Sequence, residues 1–538
     1  MLISASRLLE CPNEASSRIV IIGAGAVGLY LANLIASRNR DVLVIEAGET
    51  YLDKFESRSY QSIGHRHFGI EQGRGRNLGG TSSLWGGQLV EFVPADFLPR
   101  CGVDNSGWPI KYDEVAPYYE PTYLNLGIPA SMLADDEVLK GVGAQDPDLG
   151  PDLEMFLSRW MRTPNFAQLF ATQIESNPRI EVLTGHTVVA FRGEGNRLTA
   201  VRARGKSGEA AWIAGGLFIL AAGTIENARL LLAAAEDPNW PAPWRDNVNV
   251  GRYFQDHLGA RIGSFHPVNR ATFLKTFANI IHQKNKFQPK IRMRSEKIVL
   301  RQTFNMQGQF GFESDVSEHM VFLKQFLRAV LYNRKLTGAG EFLRRGPALV
   351  RLLFPIIWRY IRDHRIFVPS NAKIWLLLQG EQSPMAESRL TIDPKVCDSN
   401  GLPRVVLDWR VKGDELAAIR EFALMIGDNL RRAGFGELKI DEDLLALNPA
   451  YLENAGDTYH QAGGAVMGTS EIDGVVDTNL RVFSTENLYV GGASTFRTSS
   501  GANVTFTALV FATRLADHLT GASSASQEFA DPVVEHHA

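Results

Sequence analysis

A glycine-rich turn between a short β-branched run and an apolar stretch constrains this chain more than any other feature. RIVII (18–22) runs into Gly23-Ala24-Gly25-Ala26-Val27-Gly28, then into LYLANLIA (29–36), which has helical length, and then into VLVI (42–45). Strand, turn, helix and strand in that order make a βαβ unit. Its first glycine permits the tight turn, the second lets a pyrophosphate approach the backbone, and the third lets helix and strand pack closely. The phosphate then lies at a helix N-terminus, where free N–H groups and the helix dipole favour an anion. Glu46 closes the second strand and Ala47 follows it. A carboxylate there accepts hydrogen bonds from a ribose 2′-OH and would repel a 2′-phosphate. The unit predicts an ADP-containing cofactor, without separating NAD from FAD.

LFILAA (217–222) repeats the buried-strand pattern and leads through Gly223 into a helical stretch, IENARLLLAAA (225–235). ENLYV (486–490) gives a late strand, followed by glycines and a helix near 503–519. One nucleotide-binding lobe is thus expected from three parts of the chain, 15–125, 180–260 and 455–521. The intervening 126–179 and 261–454 are expected to form a substrate-binding lobe of mixed sheet and inserted helices, and 522–538 a flexible polar tail. The fold class is α/β with a Rossmann-like lobe, α+β overall. A hydrophobic fraction of 45% excludes wholesale disorder, and a net charge of -3 argues against a nucleic-acid binder. Cys11, Cys101 and Cys397 are too few for a disulfide scaffold, and no CxxC spacing suggests a metal. No apolar run reaches the ~18 residues that span a bilayer. The first 17 residues lack both an apolar signal core and a twin arginine, so the expected location is cytoplasmic.

Four further segments narrow the reading. They are NLGGTSSLWGG (77–87), GWPIKYDEVAPYY (107–119), FILAAGTIENARLLL (218–232), and a C-terminal run from YHQAGGAVMG (459–468) through GVVDTNLRVFSTENLYVGGASTF (474–496) to GANVTFTAL (501–509). With the N-terminal unit they resemble the glucose–methanol–choline (GMC) oxidoreductase family, and in "GG-x-S-x-x-W" and "x-E-N-A-R-L-L" its sugar-oxidising bacterial branch. The resemblance implies FAD and oxidation of a CH–OH group. His460, in H-x-x-G-x-x-x-M-G with Gly463, Met467 and Gly468, would take the hydroxyl proton while hydride passes to the flavin. Asn503 would be the second catalytic residue, holding the hydroxyl so that the C–H faces the flavin. An alcohol is too weak an acid to lose its proton unaided, and a base with a pKa near neutrality suits the task.

The same resemblance assigns the cofactor contacts. Gly79, Gly80, Thr81 and Ser82 would lie along the flavin. Some relatives carry a covalently linked histidine where this chain has Leu84, so non-covalent FAD is expected. Val188 would contact the adenine through its backbone, and Ala222-Gly223 would form the second phosphate-side turn. Gly492, Ala493, Asn503, Val504 and Thr505 would close the site beside Gly23, Gly25, Ala26, Val27, Gly28, Glu46 and Ala47. The family often reads "DAS-x-FP" and "ANP" where this chain has Gly492-Ala493-Ser494-Thr495-Phe496-Arg497 and Ala502-Asn503-Val504. Arg497 would either read an anionic substrate or sit in an ion pair. His65, His186 and His257 read as packed or surface histidines, and no metal is expected.

Residues 270–370 hold 19 Lys and Arg against 6 Asp and Glu. Within them, 320–336 and 341–367 are apolar segments with regular cations, and Phe322, Phe326, Leu327, Val330 and Leu331 make one helical stripe. Three readings compete: insert helices with solvated charged faces, a peripheral patch on anionic membrane at its inner face, and a surface that attracts an acidic soluble partner. The leading function is FAD-dependent oxidation of a sugar or glycoside hydroxyl, with O₂ or another acceptor. The alternatives are oxidation of a hydrophobic or lipid-linked alcohol at a membrane surface, and a non-catalytic, flavin-binding, membrane-associated scaffold.

Overall fold

The computed structural model describes residues 17–53, 55–314, 359 and 362–521. The apolar stripe through Phe322, Phe326 and Val330, nearly all of 320–367, and the tail 522–538 lie outside the described residues.

Ile19–Ile22 (β1), Val42–Ile45 (β2), Ile180–Leu183 (β3), Leu217–Leu220 (β4) and Leu488–Val490 (β5) form a parallel sheet in the order β5-β4-β1-β2-β3. Beginning, middle and end of the chain therefore meet in one sheet. The side chains of β1 and β2 are buried on both faces, which is why these strands read as unbroken apolar runs rather than alternating ones. Helix α1 (Ala26–Ser37) follows β1, α2 (Thr224–Ala235) follows β4, and α3 (Val504–Thr520) comes after the turn that ends β5. Helices α1 and α3 pack together, with the Tyr30 hydroxyl 2.9 Å from Thr513 Oγ1. Asn227 of α2 ties two turns to each other. Its Oδ1 accepts the Ala222 N–H at 2.9 Å, and its Nδ2 donates to Gly491 O at 3.1 Å and Ser494 Oγ at 3.0 Å. An antiparallel three-stranded sheet, His186–Glu194, Arg197–Gly205 and Ala210–Ala214, stands beside α2.

A second, larger antiparallel sheet runs Gly436–Ile440, Leu258–Pro267, Lys373–Gly380, Met306–Glu313, Asn285–Met293, Leu153–Trp160 and Gln88–Leu89. Gln307 stands opposite Gln379, Ile291 opposite Gly308, and Lys290 opposite Phe156. Strand alternation puts Ile291, Phe310, Leu376 and Leu378 on one face. There Phe273 of the helix Arg270–Phe277 meets Phe310 with ring centroids 4.8 Å apart. The opposite face carries Ser158, Gln288, Lys290, Gln307 and Gln379. In most antiparallel sheets such a face meets water, yet Ser158, Lys290 and Gln307 are each only 1% exposed.

Two short strands inside 15–125, the range expected for the nucleotide lobe, pair elsewhere. Tyr60–Gly64 runs parallel to Pro403–Trp409, and Gln88–Leu89 pairs with Leu153–Trp160. Their partners are set by backbone donors and acceptors that every residue type carries, so composition could not announce them. Arg365, one of the cations of 341–367, is buried and donates to Lys275 O at 2.9 and 2.6 Å. No helix among the described residues is long and apolar enough to cross a membrane.

Gly28 lets α1 close onto the preceding turn, since a Cβ there would stand 1.9 Å from Gly23 O. Gly28→Ala should cost about 1–3 kcal/mol through overpacking. Urea titration is expected to give a lower midpoint at unchanged slope, and the purified variant should hold less than one dinucleotide per chain.

Candidate active site

A cavity of about 560 Å³ opens at the C-terminal ends of β1, β4 and β5, where ligands bind in open α/β sheets. Gly23, Gly25, Ala26, Val27, Glu46 and Ala47 line it from the first βαβ unit. Gly80, Thr81 and Ser82 come from the glycine loop, Val188 and Ala222-Gly223 from the middle, and Gly492, Ala493, Val504 and Thr505 from the end of the chain. His460 shares this wall. Gly28, Gly79 and Asn503 do not line the cavity. Gly28 packs under the turn, and a Cβ on Gly79 would meet Asn165 Oδ1 at 2.7 Å.

The wall suits an anionic dinucleotide. A Cβ on Gly25 or Gly223 would meet nothing within 4 Å, so both backbones lie open to a ligand. Gly80 comes so close to Gly25 that a Cβ would stand 2.8 Å from Gly25 Cα. Helices α1 and α3 begin at Gly25 and Asn503 with no side-chain cap and no acid in the first turn, which leaves their N–H groups for a pyrophosphate. Glu46 is buried, with Oε2 accepting the Ala24 N–H at 2.7 Å and Oε1 the Gly48 N–H at 2.8 Å. Burial raises its pKa to about 7, against the pull of those two bonds and of Arg76. The remaining lone pairs can accept from a ribose hydroxyl.

His460 and Asn503 stand together beside this cradle. Asn503 Nδ2 donates to His460 Nε2 at 2.7 Å, and His460 Nδ1 lies 2.7 Å from Thr458 Oγ1. With Nε2 accepting, the ring proton belongs on Nδ1, donated to Thr458. Burial, with smaller contributions from His257 and Lys290, lowers the His460 pKa to about 3, and Asp256 opposes them. The imidazole is therefore neutral, with its lone pair on the Asn503 side. Asn503 Oδ1 is buried without a protein partner among the described residues.

Sequence reasoning passed over Asp256, which holds this corner. Its Oδ1 accepts N–H groups from His257 at 2.8 Å, His460 at 2.9 Å and Thr458 at 3.2 Å, and its Oδ2 faces His67 Nε2 at 3.1 Å. His257 was expected to be packed, and it is fully buried, but its ring centroid lies 4.8 Å from that of His460. His65 and His186 bond to the carbonyls of Ala455 and Thr184, each at 2.8 Å. Arg497 Nη1 donates to Met467 O at 3.1 Å and Asp473 O at 2.8 Å, with the Asp473 carboxylate 3.6 Å away, so it is engaged rather than turned to a ligand. His67, Asp256 and Asp457 have ligand atoms close enough for a metal. However, His67 Nδ1 accepts the Ile70 N–H at 3.0 Å, which leaves the proton on Nε2 facing Asp256. A protonated nitrogen cannot ligate.

The family model described as FAD dependent oxidoreductase matches residues 18–284, and that described as GMC oxidoreductase matches residues 384–512. The 2-methyl-1,2-propanediol dehydrogenase of Mycolicibacterium austroafricanum is 21% identical over 504 residues, covering 82% of this chain and 80% of that protein. The fructose dehydrogenase large subunit of Gluconobacter japonicus is 22% identical over 590 aligned positions, covering 93% and 97%. Among solved structures, pyridoxine 4-oxidase from Mesorbium loti shares the fold with a TM-score of 0.57 at 18% identity, over 94% of this chain and 99% of that one. Fold and cavity together define an FAD-dependent oxidoreductase. The chain belongs to the GMC oxidoreductases.

Since His460 falls from an ordinary value of 6.5 to about 3, the unfolded chain binds a proton in that window that the folded chain does not. Stability contributed by this group is present above pH 6.5 and is lost as pH falls toward 3. The unprotonated ring persists throughout. Stopped-flow flavin reduction by an accepted alcohol should therefore show no histidine-like acid limb near pH 6.5.

Proposed function

We propose that this enzyme oxidises a CH–OH group of a sugar or glycoside, with His460 as the general base. The observation that carries the reading is the His460–Asn503 pair, 2.7 Å apart, set between the glycine cradle and the N-terminus of α3. FAD supplies the hydride acceptor when bound. The turns at Gly23–Val27, Gly80–Ser82 and Gly492–Ala493 and the carboxylate of Glu46 would hold it. His460 Nε2 accepts the hydroxyl proton, and the Asn503 amide bonds the same oxygen and fixes the direction of the C–H. Thr458 keeps the ring proton on Nδ1, so Nε2 carries the lone pair, which the substrate hydroxyl would take over from the Asn503 amide. Asp256, ionised and buried nearby, offsets the positive charge that His460 gains. The sugar assignment is supported by the "GG-x-S-x-x-W" and "x-E-N-A-R-L-L" segments and by a relative named as a fructose dehydrogenase.

Anaerobic bleaching across sugars, glycosides, diols and fatty alcohols tests the reaction. Bleaching by sugars is expected; bleaching by fatty alcohols alone would point to the lipid-linked alternative. His460→Ala should keep its FAD and lose about 10²–10⁴-fold in the rate of flavin reduction, with a smaller loss for Asn503→Ala. A near-normal reduction rate in His460→Ala would remove the assigned base.

Leu84 stands on the cavity wall and has no nucleophile, so the flavin is held without a covalent bond. Acid precipitation should release all of it, and a yellow pellet would overturn this.

A further inference from the structure

The buried polar face of the large sheet has more hydrogen-bonding capacity than the protein fills. Buried Gln307 Nε2, Gln309 Oε1 and Trp160 Nε1 have no protein partner among the described residues. Lys290 lies among them. Its Nζ donates to Gln307 Oε1 at 3.2 Å, and among the described residues it has no ion pair. An ammonium can donate three hydrogen bonds, and a buried one without a counter-charge is costly.

This face looks toward the catalytic pair. Gln379, in register with Gln307, donates to Gly501 O at 2.9 Å, two residues before Asn503. The charge of Lys290 lowers the proton affinity of both His257 and His460. The two buried carboxylates that also act on His257 are already engaged. Asp256 is held by His67 and three backbone N–H groups, and Glu381 forms a two-pronged pair with Arg100 at 2.7 and 2.9 Å. Arg497 is likewise committed, to carbonyls and to Asp473.

We propose that Lys290 is the specificity-determining residue, and that it binds a carboxylate on the same molecule whose hydroxyl is oxidised at His460. The substrate class is then a hydroxy acid of the sugar-acid kind, with its remaining hydroxyls meeting the glutamine side chains of this face. The inference rests on the CH–OH reading of the site and goes beyond it in naming the charge that the substrate carries. Burial alone brings Lys290 down to about 7. The amine thus stands ready to be protonated when an anion arrives, and needs no permanent partner until then.

The test uses the FAD-loaded enzyme and pairs of compounds that differ in one carboxylate: D-gluconate and D-sorbitol, D-glucuronate and D-glucose, D-lactate and 1,2-propanediol. Binding to the oxidised enzyme is measured by calorimetry, and anaerobic flavin reduction by stopped flow. At least one carboxylate should bind about 10–100-fold more tightly than its neutral partner, the range of a charged hydrogen bond. Lys290→Met should abolish that preference mainly through KM, with FAD content intact, and Lys290→Arg should restore part of it. Equal binding within every pair would overturn the proposal, as would no binding by any carboxylate or an unchanged preference in Lys290→Met. If carboxylates bind through Lys290 and no compound bleaches the flavin, the CH–OH reading fails while the anion site stands.

Discussion

A carboxylate cut off from water holds the active site in register. Burial alone would raise the pKa of Asp256, but the hydrogen bond from His67 keeps it below the ordinary carboxylate value. Its four donors come from segments far apart in sequence, at 67, 257 and 458–460. Asp457 adds a second clasp by accepting the N–H groups of Phe68 and Gly69 at 2.6 and 2.8 Å. A buried ion of this kind is tolerated only when its acceptor sites are met. His460 therefore has little freedom to drift, because its own backbone N–H is one of those donors.

The glycine cradle and the His460–Asn503 pair are linked through side chains as well as backbone. Asn227 fixes the turns after β4 and β5 to each other. Asn503 serves twice, since its backbone opens α3 and its amide bonds His460. The proposed positions of cofactor and base are thus set by common residues. Asn503 in particular couples the helix terminus that faces the cavity to the imidazole of His460.

The parallel sheet was legible because strands buried on both faces read as uninterrupted β-branched runs, and because Gly23, Gly25 and Gly28 mark a turn that few other structures need. His460 and Asn503 were legible through resemblance, and the structure brings them together over 43 positions of sequence. Asp256 was not legible. It acts on backbone N–H groups, and a backbone donor leaves no mark on composition. The polar face of the large sheet was missed for a related reason. KFQPKIRM and MQGQFGFE alternate as a solvated strand does, and alternation says which residues share a face without saying what covers it.

The order of strands in the parallel sheet has a consequence for how the protein is made. β4 is complete at residue 220, but its neighbour β5 begins only at residue 488. At about 5–20 residues per second, a ribosome needs roughly 15–50 s to supply the chain between them. Throughout that interval β4 presents an open row of unpaired amide and carbonyl groups, the kind of edge that recruits strands from other chains. The nucleotide lobe thus cannot close before β5 has been made. Flavin capture waits for that strand, and nascent chains depend on whatever shields the edge until then.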